Sequence, residues 1–106
     1  MAMTIRQALN ALGYNFDNQV QPPLFGKDLH PDTDIAESGL MISEKLCTPG
    51  CGCWAVVVEV QRADDWGMFN PWCCFYFKVS EAKLNPSEWS FETRWYSPGD
   101  LKKLNA

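Results

Sequence analysis

The residues best suited to chemistry in this sequence are cysteines, three of which lie close together. Cys47, Cys51 and Cys53 are separated by glycine, proline and threonine, and the single histidine, His30, lies upstream. Thiolate and imidazole groups are the usual ligands of structural zinc, which gathers four of them in a tetrahedron. A structural zinc-binding module that uses these four residues is therefore one hypothesis, although the segment lacks the C-x₂-C pairs of common zinc sites.

Two further cysteines, Cys73 and Cys74, are not expected to join that cluster. If the two apolar runs around them form one hairpin with matching faces, Val60 lies opposite Cys73. Cys53 and Cys73 are then at opposite ends of the ladder, roughly 20 Å apart at about 3.3 Å per residue. Ligands of one zinc ion must each approach it to about 2.3 Å. We expect Cys73 to point into the core and Cys74 to point to the other face of the sheet.

A catalytic thiol is a further alternative. Cys51 lies between Gly50 and Gly52, where backbone amides are free to stabilise a thiolate, and His30 is the one imidazole that could act as a base. A lone histidine beside a proline is more often a loop residue, so a cysteine-dependent enzyme ranks third among the hypotheses.

The segment between the two most regular strand patterns combines aromatic side chains with carboxylates. Connections of this kind run over the surface, and aromatic anchors with a polar rim are typical of protein-binding sites. The alternative is that this segment folds back over the core, which we expect of the tryptophan next to the strand. The candidate partner-binding residues are Asp64, Asp65, Trp66, Met68, Phe69 and Trp72.

Size and charge limit the class of protein. The chain has 106 residues, 46% of them hydrophobic, which is sufficient for one domain, 1–106, with a single core. The net charge of −4 disfavours direct binding of nucleic acid, which requires clustered Lys and Arg. A partner protein with a basic or apolar surface is expected instead, and a homodimer is a further option.

The compartment is predicted from the start of the chain and from its cysteines. No apolar run is long enough to cross a bilayer, and Arg6 and Asn10 interrupt the first residues, unlike the core of a signal peptide. The cytoplasm is therefore expected. Five cysteines in a reducing compartment should be thiols, and an odd number cannot pair completely.

Two helices are predicted from local signals. Thr4 and Gln7 have capping-box spacing, and apolar residues then recur at helical intervals from Ile5 to Leu12. Near the other end, Ser97 can cap a short helix that starts at Pro98. Between them, residues 14–39 are rich in proline and acidic side chains, which predicts a long irregular loop with a short helix at 34–38.

Strand patterns fill the second half of the chain. Residues alternate between an apolar and a mixed face in 54–61, 73–80 and 89–96, and 40–46 is a weaker candidate. In the last run the apolar face holds Trp89, Phe91, Thr93 and Trp95. A second face with Ala55, Val57, Cys74 and Tyr76 is expected to be flanked by charged side chains, namely Glu59, Lys78, Glu92 and Arg94.

These elements predict an α+β fold: an antiparallel meander of three or four strands, an N-terminal helix on its apolar face, a long irregular loop and a short C-terminal helix. The leading functional hypothesis is a small acidic, non-enzymatic protein-binding module without a cofactor. By analogy of size and charge alone, it would act as an inhibitor or immunity-type protein that blocks a basic or apolar surface of a macromolecular partner.

Overall fold

The computed structural model of the chain describes residues 3–26, 29–35, 37–48, 52–65, 72–79, 85 and 87–104. In chain order the regular elements are helix α1 (Ile5–Ala11), strands β1 (Leu40–Cys47), β2 (Ala55–Arg62), β3 (Cys73–Lys78) and β4 (Glu92–Tyr96), and helix α2 (Pro98–Leu104). Two 3₁₀ helices, Phe16–Asn18 and Ala63–Asp65, lie in the connections. The predicted α+β class is confirmed. None of the helices in these ranges is long and apolar enough to cross a membrane.

Both α-helices begin at the predicted caps. The Gln7 amide donates to the Thr4 hydroxyl at 3.2 Å, and the Thr4 amide donates to the Gln7 side chain at 2.9 Å. The Ser97 amide donates to the Asp100 carboxylate at 3.1 Å, and the Asp100 amide donates back to the Ser97 hydroxyl at 3.2 Å. Each pair satisfies amides that the first helical turn leaves without a partner.

The four strands form one antiparallel sheet in the order β3-β2-β1-β4. Val60 lies opposite Cys73, so the predicted register of the β2–β3 hairpin is confirmed. Strands β1 to β3 form a meander, and β4 pairs with the free side of β1. The weakest strand candidate of the sequence, β1, is thus a central strand with a neighbour on each side.

The core lies between one face of the sheet and the two helices. Val58 and Phe75, which are Cα partners, are both fully buried on this face. Helix α1 contributes Ile5 and Leu9, also fully buried, and α2 contributes Leu101, which is 1% exposed. The apolar stripe of each helix therefore covers the sheet, as the helical spacing predicts.

The long connection before β1 ends in a turn. The amides of Ser38 and Gly39 both donate to the Ile35 carbonyl at 3.0 Å. These described residues form a turn and not the predicted helix at 34–38; residue 36 lies outside the described ranges. Gly39 has φ of +77°, a left-handed conformation that closes the turn and leads into β1.

Earlier in the same connection, the chain runs along the outer edge of β3. The Leu24 amide donates to the Cys74 carbonyl at 3.0 Å, and the Cys74 amide donates back to the Leu24 carbonyl at 2.7 Å. Gln19 forms a second bridge with Phe77. This segment therefore closes one edge of the sheet.

Candidate functional site

The predicted binding tip is described in part. Asp64 is exposed in the 3₁₀ helix that follows β2, and Trp72, directly before β3, is half-buried. Asp65 contributes its backbone to the same 3₁₀ helix, and its side chain lies outside the description. Residues 66–71, which include Trp66, Met68 and Phe69, also lie outside the described ranges. For those side chains, partner binding remains a prediction.

The structure corrects the expected orientation of β4. Arg94 lies opposite Ile42, a core residue, so Glu92, Arg94 and Tyr96 occupy the face that α1 covers. Trp95 lies opposite Met41 and therefore occupies the other face of the sheet, which we call the outer face. The prediction that Glu92 and Arg94 flank the strip of Ala55 and Val57 on that second face is thus wrong.

The reason for this orientation is a carboxylate on the core face of β1. Glu44 is only 7% exposed, and it shares the core face with its neighbours Val58 and Glu92. An ion pair with the Arg94 guanidinium compensates its charge. Leaving a buried carboxylate without a partner would cost several kcal/mol, which favours the orientation that brings Arg94 to Glu44. The charged residues of β4 therefore lie on the core side of the sheet.

As a result, two aromatic side chains are exposed at β4. Phe91, one residue before the strand, is 60% exposed, and Trp95 is 58% exposed. We call these two residues the aromatic edge. The sequence signal was present as an alternation of aromatic and charged residues, but alternation does not reveal which face points inward.

The aromatic edge lies beside the start of the tip. A Cβ atom placed on Gly39 would be 3.2 Å from Trp95 Nε1 and 3.3 Å from Ala63 Cβ. Trp95 and Ala63 thus both lie close to the bare backbone of Gly39. Because Ala63 directly precedes Asp64, an exposed carboxylate and an exposed indole lie at the same end of the sheet.

The backbone of β4 also presents N–H and C=O groups at the edge of the sheet, on the side away from β1. The Ala63 amide donates to the Gly39 carbonyl at 3.4 Å, which shows that Gly39 faces β2. Main-chain groups alternate along a strand, so Leu40, Ile42 and Glu44 face β4. Their partners in β4 are Tyr96, Arg94 and Glu92. The N–H and C=O groups of Thr93 and Trp95 consequently point away from the sheet.

The opposite edge of the sheet, at β3, is covered by an earlier segment of the chain. Leu24 and Phe25 of this segment are 58% and 52% exposed. However, the Leu24 backbone already pairs with Cys74, and the Phe25 ring packs edge-on against Phe75 with centroids 6.1 Å apart. In the described chain, β4 is the terminal strand with no strand on its outer side.

A polar cleft of about 400 Å³ lies on the core side of β4, next to the end of α1. Its charged lining consists of Glu44, Glu88, Glu92 and Arg94. Three carboxylates and one guanidinium give the cleft an acidic character. Neither histidine nor cysteine is among the described residues that line it.

The residues of the predicted zinc site are described only in part. Cys53 is disulfide-bonded, contrary to the expectation that all cysteines are thiols. Cys47 is a half-buried free thiol at the end of β1, His30 is exposed, and Cys51 lies outside the described residues. No group of three or more His, Cys, Asp or Glu side chains that could hold a metal ion occurs in the described part of the chain. The zinc module stays a prediction from spacing alone.

The described free thiols are also poorly suited to nucleophilic chemistry. Burial raises the pKa of Cys73 to about 12. Burial also raises the pKa of Cys47 and of Cys74, and the Glu59 carboxylate raises that of Cys74 further. A thiolate is the reactive form, so these three thiols are expected to be protonated and unreactive near neutral pH.

Comparisons with protein-family models, with curated proteins and with solved structures found no match for this chain.

Proposed function

We propose that this chain is a small, acidic, non-enzymatic protein-binding module. Its binding surface combines the aromatic edge with the adjacent acidic tip, and it docks on a basic and apolar surface of another protein. The observation that carries this proposal is the exposure of both Trp95 and Asp64 at the same end of the sheet.

The energetics favour a binding role for these aromatic side chains. A fully buried aromatic side chain contributes about 1.5–3 kcal/mol relative to an exposed one. Trp95 and Phe91 leave more than half of that contribution unused within the chain, since both are more than half exposed. Tryptophan is also among the residues that most often dominate the binding energy of protein interfaces.

Charge defines the chemistry of the partner. The chain carries a net charge of −4, and Asp64 is exposed at the same end of the sheet as Trp95. A partner surface with Lys or Arg around an apolar pocket would complement both features, because opposite potentials speed association and select the partner. Inhibition of that surface, as in an immunity-type protein, is the form of this function that we propose.

Replacement of Trp95 tests the proposal. Because Trp95 is 58% exposed, Trp95→Ala should change the free energy of unfolding by less than about 1 kcal/mol. Partner affinity should fall by about thirtyfold or more, as expected for an interface tryptophan. The partner would be captured with the wild-type chain, identified by mass spectrometry and titrated by calorimetry.

Phe25→Ala is the matched control, because Phe25 is a similarly exposed aromatic residue at the closed edge of the sheet. It should leave partner affinity unchanged. Equal affinities of the Trp95→Ala, Phe25→Ala and wild-type chains would refute the assigned surface. Trp66→Ala and Asp65→Lys extend the test to the tip, where each should weaken partner binding and leave thermal stability nearly unchanged.

A further inference from the structure

We propose that β4 pairs with the β4 strand of a second copy of this chain, antiparallel and about a two-fold axis at Thr93. This inference goes beyond the proposed function: it concerns main-chain pairing along the edge of the sheet, whereas the proposed function uses the exposed side chains of the aromatic edge. The pairing would join two four-stranded sheets into one continuous sheet.

The backbone of β4 is prepared for such pairing. Thr93 and Trp95 point their N–H and C=O groups away from β1, and an incoming strand would satisfy them. Natural edge strands are usually protected by charged side chains, above all lysine, by proline or by a covering segment. Strand β4 contains no lysine or proline, and its two charged residues, Glu92 and Arg94, have opposite signs, so they repel most foreign strands but complement a second antiparallel copy.

The side chains select the register. With the two-fold axis at Thr93, Glu92 of each copy lies opposite Arg94 of the other copy. On the outer face, Phe91 of each copy lies opposite Trp95 of the other. Opposite charges and aromatic pairs are the favourable cross-strand neighbours in antiparallel sheets. The strand is therefore complementary to itself on both faces.

Neighbouring registers are unfavourable. An axis at Glu92 would place two Glu92 side chains opposite each other, and an axis at Arg94 would do the same with two arginines. Like charges directly opposite are destabilising. A register shifted by one residue would place Thr93 or Trp95 of one copy opposite a residue whose N–H and C=O groups point toward β1. No hydrogen bonds could then form between the two copies.

The ion pair within one chain is compatible with this contact. Arg94 binds Glu44, and its guanidinium has five N–H donors, so it can also bind Glu92 of the second copy. Glu92 and Arg94 are both exposed in the single chain. Neither side chain has to leave the core to reach the second copy.

A charge reversal at Glu92 tests the proposal, because it acts on the dimer and spares the single chain. In Glu92→Lys the new ammonium faces Arg94 of the second copy, whereas in its own chain it lies opposite Glu44. Asp17→Lys is the matched control, since it makes the same charge change at an exposed site next to β3. Thermal unfolding would show that both variants keep the stability of the wild-type chain.

Analytical ultracentrifugation should show the wild-type mass rising from 12.0 kDa toward twice that value between low-micromolar and millimolar concentration. Glu92→Lys should weaken the dimer by about tenfold or more, and Asp17→Lys should leave it unchanged. An isotope-filtered NOE between the α protons of Glu92 and Arg94 in a mixed labelled sample would establish the register.

Three results would overturn the inference: a monomer at every concentration, equal dimerisation of the two variants, or a dimer without the contact between Glu92 and Arg94. At low-micromolar concentration, where the wild-type chain is expected to be monomeric, Glu92→Lys leaves Phe91 and Trp95 unchanged, so its affinity for the captured partner should equal that of the wild type. Failure of the dimer is thereby distinguishable from failure of the proposed function, which depends on Trp95.

Discussion

Gly39 provides the sharpest test of how the binding surface is held together. Its φ of +77° is left-handed, which costs an L-residue about 1–2 kcal/mol. An added Cβ would also lie 2.8 Å from the Tyr96 carbonyl oxygen, a main-chain atom that cannot rotate away. The resulting displacement of β4 resembles overpacking, which costs about 1–3 kcal/mol. Gly39→Ala should therefore destabilise the chain by about 3 kcal/mol.

Gly13→Ala separates the two contributions. Gly13 has φ of +100°, and a Cβ there meets no atom within 4 Å, so only the backbone cost of about 1–2 kcal/mol applies. Both variants gain the same reduction in unfolded-chain entropy, which cancels in the comparison. Urea unfolding should show a lower midpoint for Gly39→Ala than for Gly13→Ala, with equal m-values.

Because Trp95 packs beside Gly39, partner affinity should fall in Gly39→Ala alone. Equal stability of the two variants would refute the close approach of β4 to Gly39.

The remaining predictions concern a buried thiol and a helix cap. Cys73, with a pKa near 12, should resist iodoacetamide at neutral pH until the chain unfolds, as peptide mass spectrometry would show. Since the unfolded thiol ionises near 9.0, stability should fall between that pH and about 12, and Cys73→Ala should remove this loss. Rapid labelling of native Cys73 would contradict its burial. Ser97→Ala should cost about 1 kcal/mol in urea unfolding through loss of the α2 cap. Hydrogen bonds from Ser97 lower the pKa of the Asp100 carboxylate below 3.8, so the stabilisation that this carboxylate provides is present above pH 3.8 and lost as the pH falls. If Asp100→Asn leaves the loss of stability at acid pH unaltered, this interpretation is wrong.

Local signals in the sequence were sufficient for the helices and for one hairpin. The Thr4 and Ser97 caps act within a single turn, so their spacing alone locates α1 and α2. The pairing of Val60 with Cys73 follows from matching the apolar faces of two neighbouring strands. In these cases the interacting residues are close in sequence or separated by one short connection.

The orientation of β4 depended on information that is not local. Its inward face is selected by Glu44, a residue of a strand about fifty positions earlier, which requires Arg94. Alternation in the sequence groups Trp95 with Thr93 but does not show which group faces the core. The hydrogen bonds of Leu24 with β3 were hidden for a different reason, since the preceding prolines interrupt any strand pattern.

The sheet order also has a consequence for the order of folding. Ser43 of β1 and Thr93 of β4 bond through their hydroxyl groups at 3.2 Å, although they are 50 residues apart. Strands β1 to β3 are closer together along the chain, so they can pair before β4 docks. Until β4 docks, one side of β1 is an unpaired edge that carries the uncompensated carboxylate of Glu44. That charge disfavours pairing with a foreign apolar strand, so the residue that orients β4 also protects the partly folded sheet from aggregation.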